Sequence, residues 1–267
     1  MLPARMTNLA LFSSLFALTL AAGMTLLLEA GRRLGARRLA RDPEGARTGL
    51  GPVEGAVFGL LGLLIAFTFS GAAERFDARR ALIVDEANAI GTAWLRLDLL
   101  PDEPRAELRT LFTDYLGTRL AAYGALPDLA AAEADLERAA GIQDAIWSRA
   151  VAAGREGAPQ PVAILLLPAL NNMFDIAATR TAAAWRHPPP VVYVLLVVLA
   201  LVSALLAGYA MAGTRSRSLL HMTMFAFIMA ASIYVILDLE YPRAGFIRID
   251  AADRPLIMLL ESMKGRQ

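Results

Sequence analysis

Val57–Leu97 reads VFGLLGLLIAFTFSGAAERFDARRALIVDEANAIGTAWLRL, and its character changes part-way along. From Val57 to Ser70 no side chain is charged; then Glu74, Arg75, Asp77, Arg79, Arg80, Asp85 and Glu86 follow in quick succession. No proline interrupts the stretch. A helix that leaves a bilayer near Ser70 therefore meets no breaker and can continue into water, as one helix or two stacked ones. In the charged half Ile83, Ala87, Ile90 and Trp94 recur at helical spacing, with Val84, Gly91 and Leu95 beside them, and form one apolar face. The stretch is expected to join a membrane domain to a soluble helical domain.

Composition agrees. The 267 residues are 57% hydrophobic with a mean hydropathy of +0.49, above the roughly 45–50% apolar share of ordinary soluble domains. A charged fraction of 19% is too high for a chain wholly inside a membrane, so a sizeable soluble part is implied. The net charge of +1 argues for no nucleic-acid partner. Zero cysteines exclude disulfides, thiolate metal sites and a cysteine nucleophile, and two histidines exclude a histidine-rich metal site.

Working outward, Leu9–Leu28 is twenty uncharged residues, enough to cross a hydrocarbon core of about 30 Å. Its apolar run continues past Ala21-Ala22-Gly23, which favours a retained anchor over a cleaved signal. The spans are expected at about 9–28, 53–70, 191–213 and 219–237, in two hairpins: 1–71 and 187–238. Between them lies a helical extramembrane domain, 72–186, and after them a C-terminal tail, 239–267. Within the central domain Arg105–Gly124 and Asp128–Ala153 are amphipathic. Val162–Trp185 turns polar too soon to span and holds Pro168, which predicts a kinked, buried helix. Asn171, Asn172 and Asp175 lie on it as candidates for buried polar groups, which would hydrogen-bond between helices or coordinate an ion. Gly55 and Gly59 in the second span, and Ala204, Gly208 and Ala212 in the third, have the small-xxx-small spacing that lets helices approach closely.

Four spans put both termini and the central domain on one side. The loops on the other side hold Arg32, Arg33, Arg37, Arg38, Arg41, Arg47, Arg215 and Arg217, which taken alone places those loops in the cytoplasm and the central domain in the periplasm. The tail and the domain edges carry arginines of their own, so the bias is modest. No phosphate-binding glycine loop, G-x-S-x-G, H-E-x-x-H or paired carboxylate with a nucleophile occurs, so no catalytic residues, cofactor or metal are assigned.

Three stretches, LPALNNMFDIAATR (Leu167–Arg180), HPPPVVYVLL (His187–Leu196) and DLEYPRAGFIRID (Asp238–Asp250), resemble a bacterial bestrophin-like family of uncharacterised four-span membrane proteins. More distantly, LLIAFTFSGAAERFDARRALIVDEANAIGT resembles the second membrane helix of the bestrophin anion channels, with Arg75-Phe76-Asp77-Ala78-Arg79 where those channels have an Arg-Trp-Trp-x-x-Arg kind of segment. The resemblance implies a protein of a bacterial inner membrane, and a homo-oligomer, a pentamer, whose second span lines an axial pore for anions such as chloride. It implies pore-lining positions at Gly59, Leu63 and Phe67, with Arg75, Arg79 and Arg80 attracting anions at the exit. It also implies a cytosolic central domain, opposite to the arginine count. Lipid or helix packing accounts for the same stripe, interfacial anchoring accounts for the arginines, and a non-conducting scaffold or sensor whose helical domain binds a protein or ligand is the alternative function.

Overall fold

Helix propensity carries the apolar stretches on into charged sequence. The computed structural model describes residues 4–42, 50–155, 160–213, 219–243 and 245–266, and among these it is all-α, with no strand. The helices are α1 (Ala4–Arg41), α2 (Leu50–Arg96), α3 (Asp102–Ala125), α4 (Leu129–Arg155), α5 (Gln160–Trp185), α6 (Pro190–Ala210), α7 (Leu219–Glu240) and α8 (Arg254–Lys264). Four helical stretches, in α1, α2, α5–α6 and α7, are long and apolar enough to cross a membrane. The protein is membrane-integral.

The deciding stretch is one unbroken helix. The 47 residues of α2 correspond to about 70 Å at 1.5 Å per residue. The arginine-rich segment after the first span, expected as a loop, is helical as far as Arg41. The reason is local: leucine, alanine and arginine favour helix, no proline intervenes before Pro43, and Glu29 accepts from Arg32 at 3.0 Å and Arg33 at 2.7 Å one turn on. Arg47, Arg215 and Arg217 of the expected loops lie outside the described residues.

The chain divides into two compact units, residues 1–75 with 187–241, and residues 76–186 with 242–267. In the first, α1 packs on α6 and α7 around Met24, Leu28, Leu196, Ala204, Ala226 and Ile233. The α1–α6 approach is set by glycine. A Cβ at Gly208 would stand 1.9 Å from the Leu28 carbonyl oxygen, and one at Gly31 2.0 Å from that of Leu205. Only hydrogen fits at either place, so the two backbones touch.

In the second unit, α2 from Phe76 onward, α3, α4 and α5 enclose a core that includes Ile83, Ile90, Phe112, Tyr115, Ile146 and Met173. Trp94 is buried there, its ring 6.1 Å from that of Phe112, whereas Trp147 and Trp185 are exposed. The C-terminal residues, expected as an appendage, belong to this core: Ile249, Leu256 and Met263 are buried in it. The helix α8 is strongly amphipathic, and its apolar side had to be covered by something. Pro168 lies inside α5, which is assigned as helix on both sides of it.

Candidate functional site

The membrane half of α2 is the least covered of the four apolar stretches: 11% of its most hydrophobic window is buried, against 22% in α1 and 28% in each of the other two. Leu63 is 51% and Phe67 66% exposed, and a Cβ added at Gly55, Gly59 or Gly62 would meet nothing within 4 Å. Leu61 and Ala72 are buried, Leu64 and Ile65 pack against the core of this unit, and Phe58 meets Phe225 edge-on with 6.4 Å between centroids. At about 100° per residue, Gly59, Leu63, Ala66, Phe67, Ser70 and Glu74 fall within an arc of about 100°. All six are exposed. The small-residue pairs separate: Gly208 meets α1 and Ala204 is buried in the core, while Gly55 and Gly59 face outward.

The arginines behind this stripe are largely committed. Arg75 lies outside the exposed arc and donates from Nε to Glu240 Oε1 at 2.6 Å, with a second bond from Nη2 to the same oxygen. Glu240 is wholly buried, and its other oxygen stands 3.4 Å from His187 Nδ1, whose ring stacks on Tyr241 at 4.6 Å. Asp238 is buried too and accepts from Tyr234 at 3.3 Å, so the carboxylates closing α7 are internal partners rather than solvated interface groups. In the second unit Arg79 is 8% exposed and donates to the carbonyls of Ala183 at 3.1 Å and Arg186 at 2.9 Å, satisfying the open end of α5. Arg80 is exposed, 3.3 Å from Asp77 and 5.9 Å from the Phe76 ring centroid. Of the three arginines expected to attract anions, Arg75 and Arg79 are spent on internal acceptors. The cause is their phase on α2, which turns them toward covered sides of the helix.

Asn171, Asn172 and Asp175 are exposed, not buried. Leu166, Leu170, Met173, Ala177 and Arg180 make the buried stripe of α5, and the three polar residues lie on the other side. Among the described residues no group of acidic or histidine side chains could hold a metal ion.

The buried polar group that sequence reasoning missed lies in the second unit. Glu86 of α2 has no exposure and accepts from Arg119 Nε of α3 at 2.7 Å and from Arg180 of α5. Arg180 also donates to Asp253 at 3.1 Å, and Asp253 in turn binds Arg243 at 2.8 Å. The Tyr123 ring lies against three guanidinium carbons, at 3.7 Å for Arg180, 5.2 Å for Arg119 and 5.5 Å for Arg243. Glu86, Arg119, Arg180 and Asp253 are buried, each beside an opposite charge, as a low-dielectric interior requires, while Arg243 is half-buried at the edge. Nearby, burial pushes the Tyr115 phenol up to about 12, against the opposing pull of the Arg119 charge, while Gln143 donates to its oxygen at 2.9 Å. Arg180 closes the Leu167–Arg180 stretch, and Arg243, which also binds Asp250 at 3.2 Å, belongs with it to Asp238–Asp250, so two of the three stretches that carried the family resemblance supply the network.

A family model for the bestrophin-like domain matches residues 18–253. The chain belongs to the bestrophin-like family. No curated protein and no solved structure matches it. The matched region takes in most of the first apolar stretch, all of the other three and the second unit as far as Asp253, so both the uncovered stripe of α2 and the ionic network of this bestrophin-like chain lie inside it.

Proposed function

We propose that copies of this bestrophin-like chain assemble in a bacterial inner membrane with their α2 helices side by side around a common axis, and that ions pass along the stripe Gly59, Leu63 and Phe67. The observation that carries this reading is the uncovered membrane half of α2. A fully apolar helix could face lipid, but Gly55 and Gly62, at one edge of the stripe, leave hollows beside it, a surface suited to a neighbouring helix. Apolar rings of leucine and phenylalanine are a form of constriction that can gate by dewetting. The resemblance to bestrophins supports five copies. Because Arg75 and Arg79 hold internal acceptors, the chloride preference expected from the arginines loses most of its basis, and ion class must follow from what the stripe itself carries.

Purified protein in lipid nanodiscs, imaged down its symmetry axis, is expected to show a ring of copies with α2 innermost. Ion flux in liposomes is expected above that of empty vesicles and altered by Leu63→Ala. A monomer in lipid would overturn the reading, as would a ring with α2 on its outer wall. The scaffold alternative predicts instead a ring or monomer without flux. A reporter fused after Gln267 reads the side on which the second unit lies.

A further inference from the structure

We infer that Glu74 sets the ion selectivity of the α2 path, and that the path prefers cations. The inference rests on the assembly proposed above. From Val57 to Ser70 α2 has no charge, so the first charged side chain met on the exposed arc that begins at Gly59 is Glu74. It lies four residues beyond Ser70, one turn along the same face. It is exposed, and its carboxylate has no hydrogen bond or ion pair among the described residues. The next residue, Arg75, is about 100° further round the helix and is bound to buried Glu240, so it does not offset Glu74.

The following turn adds little net charge. Asp77 is exposed and is matched by Arg80 at 3.3 Å. Glu74 is therefore the uncompensated charge at the end of the stripe. With α2 innermost in a ring, each copy places one carboxylate at the same height, and rings of Asp or Glu are the usual means of favouring cations in a pore. Five such carboxylates at the mouth of a low-dielectric passage concentrate cations there and repel chloride. This departs from the anion preference that the likeness to bestrophins implies, and it does so through the phase of one residue: a carboxylate is on the open arc where the guanidiniums are not.

The test is the reversal potential in planar bilayers under a KCl gradient, with full-length protein whose assembly is checked in lipid. Wild type is expected to reverse on the potassium side of zero. Glu74→Gln is expected to lower the cation-to-anion permeability ratio several-fold, and Glu74→Lys to invert it. Glu54→Gln, at the other end of α2 and off the arc, is expected to leave it unchanged. Because the chain has no cysteine, Glu74→Cys gives a second measurement on one protein: an anionic methanethiosulfonate should restore cation preference and a cationic one should reverse it. A wild-type current that reverses toward chloride would overturn the inference while leaving the conducting path intact. A selectivity indifferent to every change at position 74 would do the same. Absence of any current from assembled rings would overturn the path and the role of Glu74 with it.

Discussion

Replacing Glu86 removes the one carboxylate shared by Arg119 and Arg180, and the two arginines feel the loss differently. Arg180 keeps Asp253 at 3.1 Å. Arg119 keeps only neutral acceptors, the Ala177 carbonyl, Thr181 and Tyr123, each at 3.2 Å, while being 4% exposed. Breaking a buried pair from one side costs roughly 3–5 kcal/mol; because Arg119 keeps neutral acceptors and Arg180 keeps a carboxylate, Glu86→Gln falls near the lower end, about 3 kcal/mol. At about 3 °C per kcal/mol for a unit of this size, the apparent midpoint of thermal unfolding should fall by about 10 °C. Tryptophan fluorescence in detergent follows it, since Trp94 is buried in the same core. The pair Glu86→Leu with Arg119→Met removes one charge of each sign and leaves Arg180 with Asp253 and Arg243 with Asp253 and Asp250, so it should recover at least half of the loss, a coupling of about 2 kcal/mol. A Glu86→Gln protein within about 0.5 kcal/mol of wild type would refute the reasoning. So would a double variant no better than the sum of its singles.

The glycines make opposed predictions for the two faces of the membrane unit. Gly208→Ala, whose Cβ would sit 1.9 Å from the Leu28 oxygen, should force α1 and α6 apart and destabilise the protein by about 1–3 kcal/mol in detergent unfolding. Gly62→Ala meets nothing within 4 Å in one chain and should leave that stability within about 0.5 kcal/mol, while weakening the assembled ring in native mass spectrometry. For Tyr115 the phenol is pushed up to about 12 by burial, whereas an unfolded tyrosine ionises near about 10. The folded form therefore binds the proton more tightly, its contribution is complete below about pH 10, and it is lost as pH rises toward about 12. Alkaline unfolding should consequently be shallower over that window in Tyr115→Phe, by an amount on the order of 2 kcal/mol in total. Equal slopes for the two proteins would contradict this.

The helices and spans were legible because hydropathy and period-3.6 spacing act locally: Leu9–Leu28 and Val191–Gly213 need no partner to be recognised. Family membership was legible from LPALNNMFDIAATR and DLEYPRAGFIRID. What was not legible depended on which side of a helix meets which neighbour. Asn171, Asn172 and Asp175 are candidates for burial only because the helix that carries them is largely apolar; Leu166, Leu170 and Met173 make the opposite side the core. Arg75 and Arg79 looked available because Glu240 and the Ala183 carbonyl are distant in sequence. The arginines of α1 looked like a loop because charge after a span suggests an end, yet Gly31 and Gly35, four apart within that segment, carry the spacing that the α1–α6 approach requires. Glu86, Arg119, Arg180 and Asp253 could have been suspected as charges at core positions of apolar stripes, such as Glu86 between Ile83 and Ile90, but pairing among them needs the tertiary fold.

The second unit is assembled from residues 76–186 and 242–267, with two membrane stretches between them in the chain. A ribosome that has finished the first segment must still add the last two spans before Asp253, Leu256 and Met263 exist. At roughly 5–20 residues per second this interval lasts about 4–16 s. During it Arg180 lacks one of its carboxylates and the core has an open side. Completion of this unit thus waits on synthesis of the whole intervening segment: until residues 242–267 exist, the side of the core that Ile249, Leu256 and Met263 cover stays open, a surface that chaperones and proteases can read as unfinished.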